Sequence, residues 1–203
     1  MEKIDYKKEL EHLYKHSANK VGIVEVPQMN FLMIDGEGDP NTSRSFQDAI
    51  EALYPLSYAL KFMVKKSVSG IDYVVMPLEG LWWADDMHSF SLENKDDWQW
   101  TLMIMQPELI SMDMVQDAIE QVGSKKDPRS LPLVRFKSFA EGKAAQIMHI
   151  GPFSEEGPTV EKVHTFIDDS GYKRTGKHHE IYLSDIRRAA PEKLRTIIRQ
   201  PML

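Results

Sequence analysis

Apolar residues recur at helical spacing from about residue 43 to 66, where Phe46, Ile50, Leu53, Leu60 and Val64 form one stripe. The spacing predicts a long helix, and Pro55 inside it predicts a kink or a split, because proline lacks the backbone donor. Before that helix, residues 31–34 read as an apolar strand ending in a glycine turn and Pro40. After it, IDYVVMPLEGLWW reads as a strand over residues 73–76 that ends at Pro77 or shortly after. Residues 98–105 are apolar on both faces, the pattern of a central strand, and Pro107 stops them. A short helix is expected over 112–122, closed by Gly123.

The second half begins after GSKKDPRSLP, the most loop-like segment and the best internal boundary. LVRFKSFAEGKAAQIMHIGPF reads as two strands joined by a Glu141-Gly142 turn, the second over 145–150. A helix is expected from Pro158 to Gly171 with Val160, Val163 and Ile167 on its apolar stripe. A strand at 180–183 and a short helix from Pro191 to about Arg199 complete the chain. Element order repeats: strand, glycine turn, helix, then strand. That order predicts one domain over 1–203 built from two pseudo-repeats, about 21–125 and 130–203.

Composition narrows the function. With 203 residues, 42% hydrophobic and 28% charged, the chain reads as an ordinary globular protein. Its 31 acidic side chains outnumber 25 basic ones, a formal charge of -6, which argues against nucleic acid as the main partner. Lys193, Arg195 and Arg199 read as a solvated helix face. Cysteine is absent, which excludes disulfides, thiolate metal sites and cysteine nucleophiles and fits a reducing cytoplasm. The charged N-terminus lacks the apolar core of a signal peptide, and its first twenty residues are too few for a helix-turn-helix domain. No window approaches the roughly 18 consecutive apolar residues that span a bilayer. A cytoplasmic protein without a membrane partner is expected.

The sharpest chemical signal is Glu180, an acid within the strand Glu180-Ile181-Tyr182-Leu183. Glutamate is depleted in strands, and alternation puts Glu180 and Tyr182 on one face, Ile181 and Leu183 on the other. Glu155 and Glu156 precede the second helix, where they complement its dipole or reach Glu180 as a second carboxylate. Two carboxylates in one pocket hold their pKa values apart and can divide acid and base roles. Trp82 and Trp83 follow Gly80 at a strand end, with Trp98 and Trp100 on a neighbouring strand; two adjacent indoles cannot both point inward. Such aromatics serve as core or as walls for a flat or cationic ligand. Met103, Met105 and Met148 read as core residues or as adaptable walls of such a pocket. His178 and Glu180 could share an ion, but His179 points the other way, His149 and His164 lie elsewhere, and zinc spacing is absent. Neither a metal nor a cofactor is expected. DGEGDP carries three acids that repel phosphate, and there is no Gly-x-Ser-x-Gly elbow.

The segment MHIGPF, a helix, Gly-Tyr, then EIYLSD and PEKL resembles the GyrI-like family of small-molecule-binding proteins, in its stand-alone branch of about 200 residues. FLMIDGEGDP, PLEGLWW and WQWTLMIMQP also resemble that branch, so the likeness spans nearly the whole chain. The resemblance implies an α+β fold: a duplicated strand–helix–strand–strand module, antiparallel sheets with helices on one side, and a ligand cleft between the repeats. It also implies that Glu180 is the counter-ion for drug-like planar or lipophilic cationic ligands, with Tyr182 beside it and Trp82 and Trp83 as cleft walls; the aromatic and methionine pattern adds Trp100 and Met148 as candidate ligand-binding residues. Some relatives hydrolyse cyclopropane-bearing, DNA-alkylating natural products for self-protection; in that case Glu156 and Glu180 form the carboxylate pair. A third role in the family is inhibition of a topoisomerase by protein contact. Relatives often have proline where this chain has Ile186, which bears only on how the strand exits. The expected partner is a hydrophobic or aromatic small molecule, and the expected state a monomer or homodimer.

Overall fold

A computed structural model describes residues 2–84, 97–185 and 188–203, so Ile186 lies outside the described residues. In chain order the elements are β1 (Lys3–Ile4), α1 (Tyr6–Glu9), α2 (Glu11–Tyr14), β2 (Gly22–Glu37), α3 (Arg44–Lys66), β3 (Asp72–Tyr73) and β4 (Leu78–Trp83). They continue with β5 (Gln99–Gln106), α4 (Met112–Gly123), β6 (Arg135–Ile150), α5 (Gly157–Asp169), β7 (His178–Tyr182) and β8 (Arg195–Pro201). Helices and antiparallel strands mix, as in an α+β chain. Two compact units interleave along the sequence. Unit one holds the first six residues, Met29–Met76 and Trp82–Phe139; unit two holds Lys7–Gln28, Pro77–Leu81 and Ala140–Leu203.

In unit one, the second half of β2 pairs antiparallel with β5, from Asn30 opposite Gln106 to Glu37 opposite Gln99. Every residue from Trp100 to Gln106 is buried, which is why that run is apolar on both faces. Gly36 sits opposite Trp100, and a Cβ there would lie 2.2 Å from the indole ring, so only glycine permits this approach. α3 packs on β5 and α4 through Ala49, Ala52, Leu53, Leu56, Leu60 and Val64. Pro55 does not split it: the helix runs unbroken to Lys66, its buried stripe continuing on both sides of the proline. α4 starts at Ser111, whose Oγ accepts from the Met114 N–H at 3.3 Å. Gly123 is the last helical residue rather than the residue beyond it.

In unit two, β8 lies between β6 and β7, antiparallel to both. α5 covers one face, with Val163 and Ile167 packed on Ala145, Ile147, Ile198 and Met202. Gly171 ends this segment at φ 76°, a left-handed turn that favours glycine.

Three further expectations fail. The strand expected over 73–76 stops at Tyr73, and a separate strand begins at Leu78, just after Pro77, whose ring nitrogen has no proton for a ladder. Glu141-Gly142 is no hairpin turn: β6 runs through it, Gly142 taking φ 75° inside the strand. The helix expected over 191–199 is a short 3-10 turn, Pro191–Lys193, followed by β8. Thr196, Ile197 and Ile198 are β-branched and have strands to pair with on both sides, which outweighs local helical spacing. Arg199 is therefore a buried strand residue at 1% exposure, not a solvated helix cation.

Candidate functional site

Strand register decides which side chains meet. Glu180 lies opposite Ile198 and Tyr182 opposite Thr196, while Ile147 and His149 flank the same two β8 residues from the other side. Directly opposed residues share a face, so His178, Glu180, Tyr182, Thr196 and His149 project toward the α5 side of the sheet. There the Glu180 carboxylate is held at both oxygens. The Tyr182 hydroxyl donates to Oε2 at 2.8 Å, and His178 Nε2 donates to Oε1 at 3.1 Å. Glu180 keeps 15% of its side-chain surface exposed.

Burial pushes the Glu180 carboxyl up, but the His178 hydrogen bond and charge, then the Tyr182 hydroxyl and the His179 charge, bring it below the ordinary carboxylate range. An unliganded carboxylate in an apolar cavity should instead be raised. The strand itself supplies the donors that reverse the sign.

The turn before α5 forms the rim. Phe153, 38% exposed, stands edge-on to the Tyr182 ring with centroids 5.6 Å apart and planes at 80°. The strand–helix–strand path thus brings this turn beside β7. Glu156 is buried and Glu155 is exposed, a difference that separates the two candidates for a second carboxylate. The Glu156 carbonyl accepts from the Thr159 and Val160 N–H groups at the helix start, and its side chain makes no capping bond. His149 fastens this turn: Nε2 donates to the Pro152 carbonyl at 3.2 Å and Nδ1 pairs with Thr159 Oγ1 at 3.0 Å.

The opposite face of the same strands carries a network that sequence reasoning missed. His179 pairs with Glu79 through Nε2 at 2.9 Å and with Glu141 through Nδ1 at 2.9 Å. Arg199 donates to Glu141 at 3.2 Å, to Gln146 at 2.9 Å and to the Leu13 carbonyl at 2.8 Å. Tyr14 donates its hydroxyl to Glu79 at 2.8 Å. Burial pulls the His179 imidazole down, but Glu141 and then Glu79 lift its pKa to about 9. Glu141 is pushed up by burial and brought below its ordinary range by His179 and Arg199. Two cations thus face two carboxylates in a dry interior, each paired and hydrogen-bonded. Glu79 carried the same signal as Glu180, an acid inside an apolar strand. Glu141 was hidden by its glycine neighbour.

The remaining candidates are distributed as follows. In unit one, Phe46 stacks on Trp82 at 5.8 Å and meets Trp100 edge-on at 5.3 Å, and Trp82 meets Trp98 at 5.6 Å. Trp82 and Trp100 are buried; Trp83 is half-buried and donates Nε1–H to Gln99 at 2.8 Å. The two adjacent indoles do part company, as expected. Most of the polar segment after GLWW lies outside the described residues. Met148 is buried opposite Ile197, which pairs with Ile181, so its side chain projects to the face away from Glu180. Among the described residues no group of three or more His, Asp or Glu side chains could hold a metal ion, and no helix is long and apolar enough to cross a membrane.

The pattern of the GyrI-like small molecule binding domain matches residues 19–202. A crystal structure of an uncharacterized conserved protein from Listeria innocua is 41% identical, with a TM-score of 0.91 over 98% of this chain and 100% of that one. Two crystal structures of a hydrolase from Listeria innocua are each 40% identical and covered in full, with TM-scores of 0.85 over 98% of this chain and 0.89 over 100%. Comparison with curated proteins gives no match. With the family pattern running over nearly its whole length, the chain belongs to the GyrI-like small-molecule-binding domain family.

Proposed function

We propose that this protein binds a planar, hydrophobic small molecule beside Glu180 and hydrolyses it. The observation that carries this reading is the Glu180–Tyr182 pair: a partly exposed, ionised carboxylate hydrogen-bonded to a phenol on the same strand face. Such a carboxylate can take a proton from water, and a phenol bonded to it can relay that proton. Phe153 offers an exposed aromatic edge next to the pair on which a flat ligand can rest. The Listeria innocua structures of a hydrolase at 40% identity are compatible with turnover.

A strained three-membered ring conjugated to a carbonyl, as in cyclopropane-bearing DNA alkylators, suits these groups. Water oxygen bonds to the ring methylene carbon, and the ring C–C bond breaks with its electron pair passing to the conjugated oxygen. Glu180 removes a proton from the attacking water; the proton passes by way of Tyr182 or solvent to that oxygen. The net change is addition of one water, and the product no longer alkylates DNA. Glu156 serves in this reading as the second carboxylate, and self-protection against a toxic alkylator is the biological role.

A second reading, binding without turnover, is favoured by the lowered pKa of Glu180: a carboxylate already ionised is a ready counter-ion for a lipophilic cation. Incubation with a cyclopropane-containing alkylator and, separately, with a planar cationic dye separates the two. A product heavier by one water, absent with Glu180→Gln, supports the hydrolase. Dye binding with an unchanged alkylator overturns it in favour of sequestration.

A further inference from the structure

We infer that Thr196 is a further hydrogen-bonding residue of the Glu180 site, holding the water that Glu180 activates. Thr196 is 1% exposed, and its Oγ1 has no hydrogen-bond partner among the described residues. A buried hydroxyl left unpaired is costly and uncommon, so its partner is expected to come from outside the chain. His149 on one side has both ring nitrogens engaged, by Pro152 and Thr159. Tyr182 on the other side gives its hydroxyl proton to Glu180.

The register places the Thr196 side chain on the same sheet face as the site. Thr196 and Tyr182 are directly opposed, which sets their Cβ atoms about 5 Å apart, and Glu180 is the diagonal neighbour at roughly 7–8 Å or a little less. One water making two hydrogen bonds of about 2.8 Å spans such a gap. In the hydrolysis described above, the threonine hydroxyl donates to the water oxygen and one water proton faces Glu180. That oxygen then forms its new bond to carbon.

The inference rests on the hydrolase reading. Its test compares Thr196→Val, which keeps the shape and removes the hydroxyl, with Thr196→Ser, which keeps the hydroxyl. With a cyclopropane alkylator as substrate, Thr196→Val should lower kcat about tenfold or more at nearly unchanged KM, and Thr196→Ser should retain most of the rate. Thermal unfolding of ligand-free Thr196→Val should occur at or above the wild-type Tm, since no internal hydrogen bond is lost. If Thr196→Val keeps wild-type kcat while Glu180→Gln is inactive, the inference fails and the reading stands. A lowered Tm with unchanged kcat makes the hydroxyl purely structural and overturns the inference. A wild-type protein that leaves the alkylator intact removes the reading and the inference together.

Discussion

Glu180 and Glu156 are both acids, yet only the first has its chemistry written in its neighbours. A strand places residues i−2 and i+2 on the same face, so His178 and Tyr182 were bound to flank Glu180 wherever the strand lay. That much was legible in HHEIY. The sign of the pKa shift was not, because it depends on donors winning over burial. Replacing Tyr182 by Phe should therefore lower kcat for alkylator hydrolysis about a hundredfold, the usual scale for one proton-transfer group, measured by product formation under saturating substrate. At Gly36 the outcome is steric. Gly36→Ala drives a methyl into the Trp100 ring and should cost about 2–3 kcal/mol, read by urea unfolding.

Strands β6, β7 and β8 form the element that carries two opposed chemistries, an open one around Glu180 and a dry one around His179. The dry network makes stability depend on pH in both directions. His179 has its pKa raised to about 9, so its contribution is complete below the unfolded value of about 6.5 and is lost as pH rises through 9. Glu141 and Glu180 are lowered, so theirs is present above about pH 4.3 and lost as pH falls through the folded values. Urea midpoints should decline on both sides, and His179→Gln should abolish most of the alkaline decline. Arg199→Met leaves Glu141 short of one cation and should cost about 3–5 kcal/mol by the same assay. Helix α3, β5, α4 and α5 could be read from spacing alone because each buries a continuous stripe. β8 could not, since its three β-branched residues sit among basic and proline neighbours that imitate a helix.

For the chain as a whole, the N-terminal segment is the instructive part. The family pattern begins at residue 19, yet His12, Leu13 and Tyr14 belong to unit two. Gln146 bonds the His12 carbonyl at 3.0 Å, Arg199 bonds the Leu13 carbonyl, Tyr14 bonds Glu79, and the Met148 N–H donates to the Ser17 carbonyl at 3.0 Å. Deleting residues 1–17 would strip partners from four buried groups and expose the site of Leu13, which is fully buried. The truncated protein should melt well below the full chain or fail to fold, as scanning calorimetry or circular dichroism would reveal. By itself the sequence determined the helices with clean stripes, the central strand, the acid–aromatic alternation at Glu180 and the family, because these depend on local period or contiguous motif. Tertiary structure alone decided that Glu79, Glu141, His179 and Arg199 neutralise one another, that Glu156 rather than Glu155 is buried, and that Met148 faces away from Glu180. Those outcomes depend on packing and pairing between distant segments, up to 186 positions apart for Arg199 and Leu13, which leave no local trace in the chain.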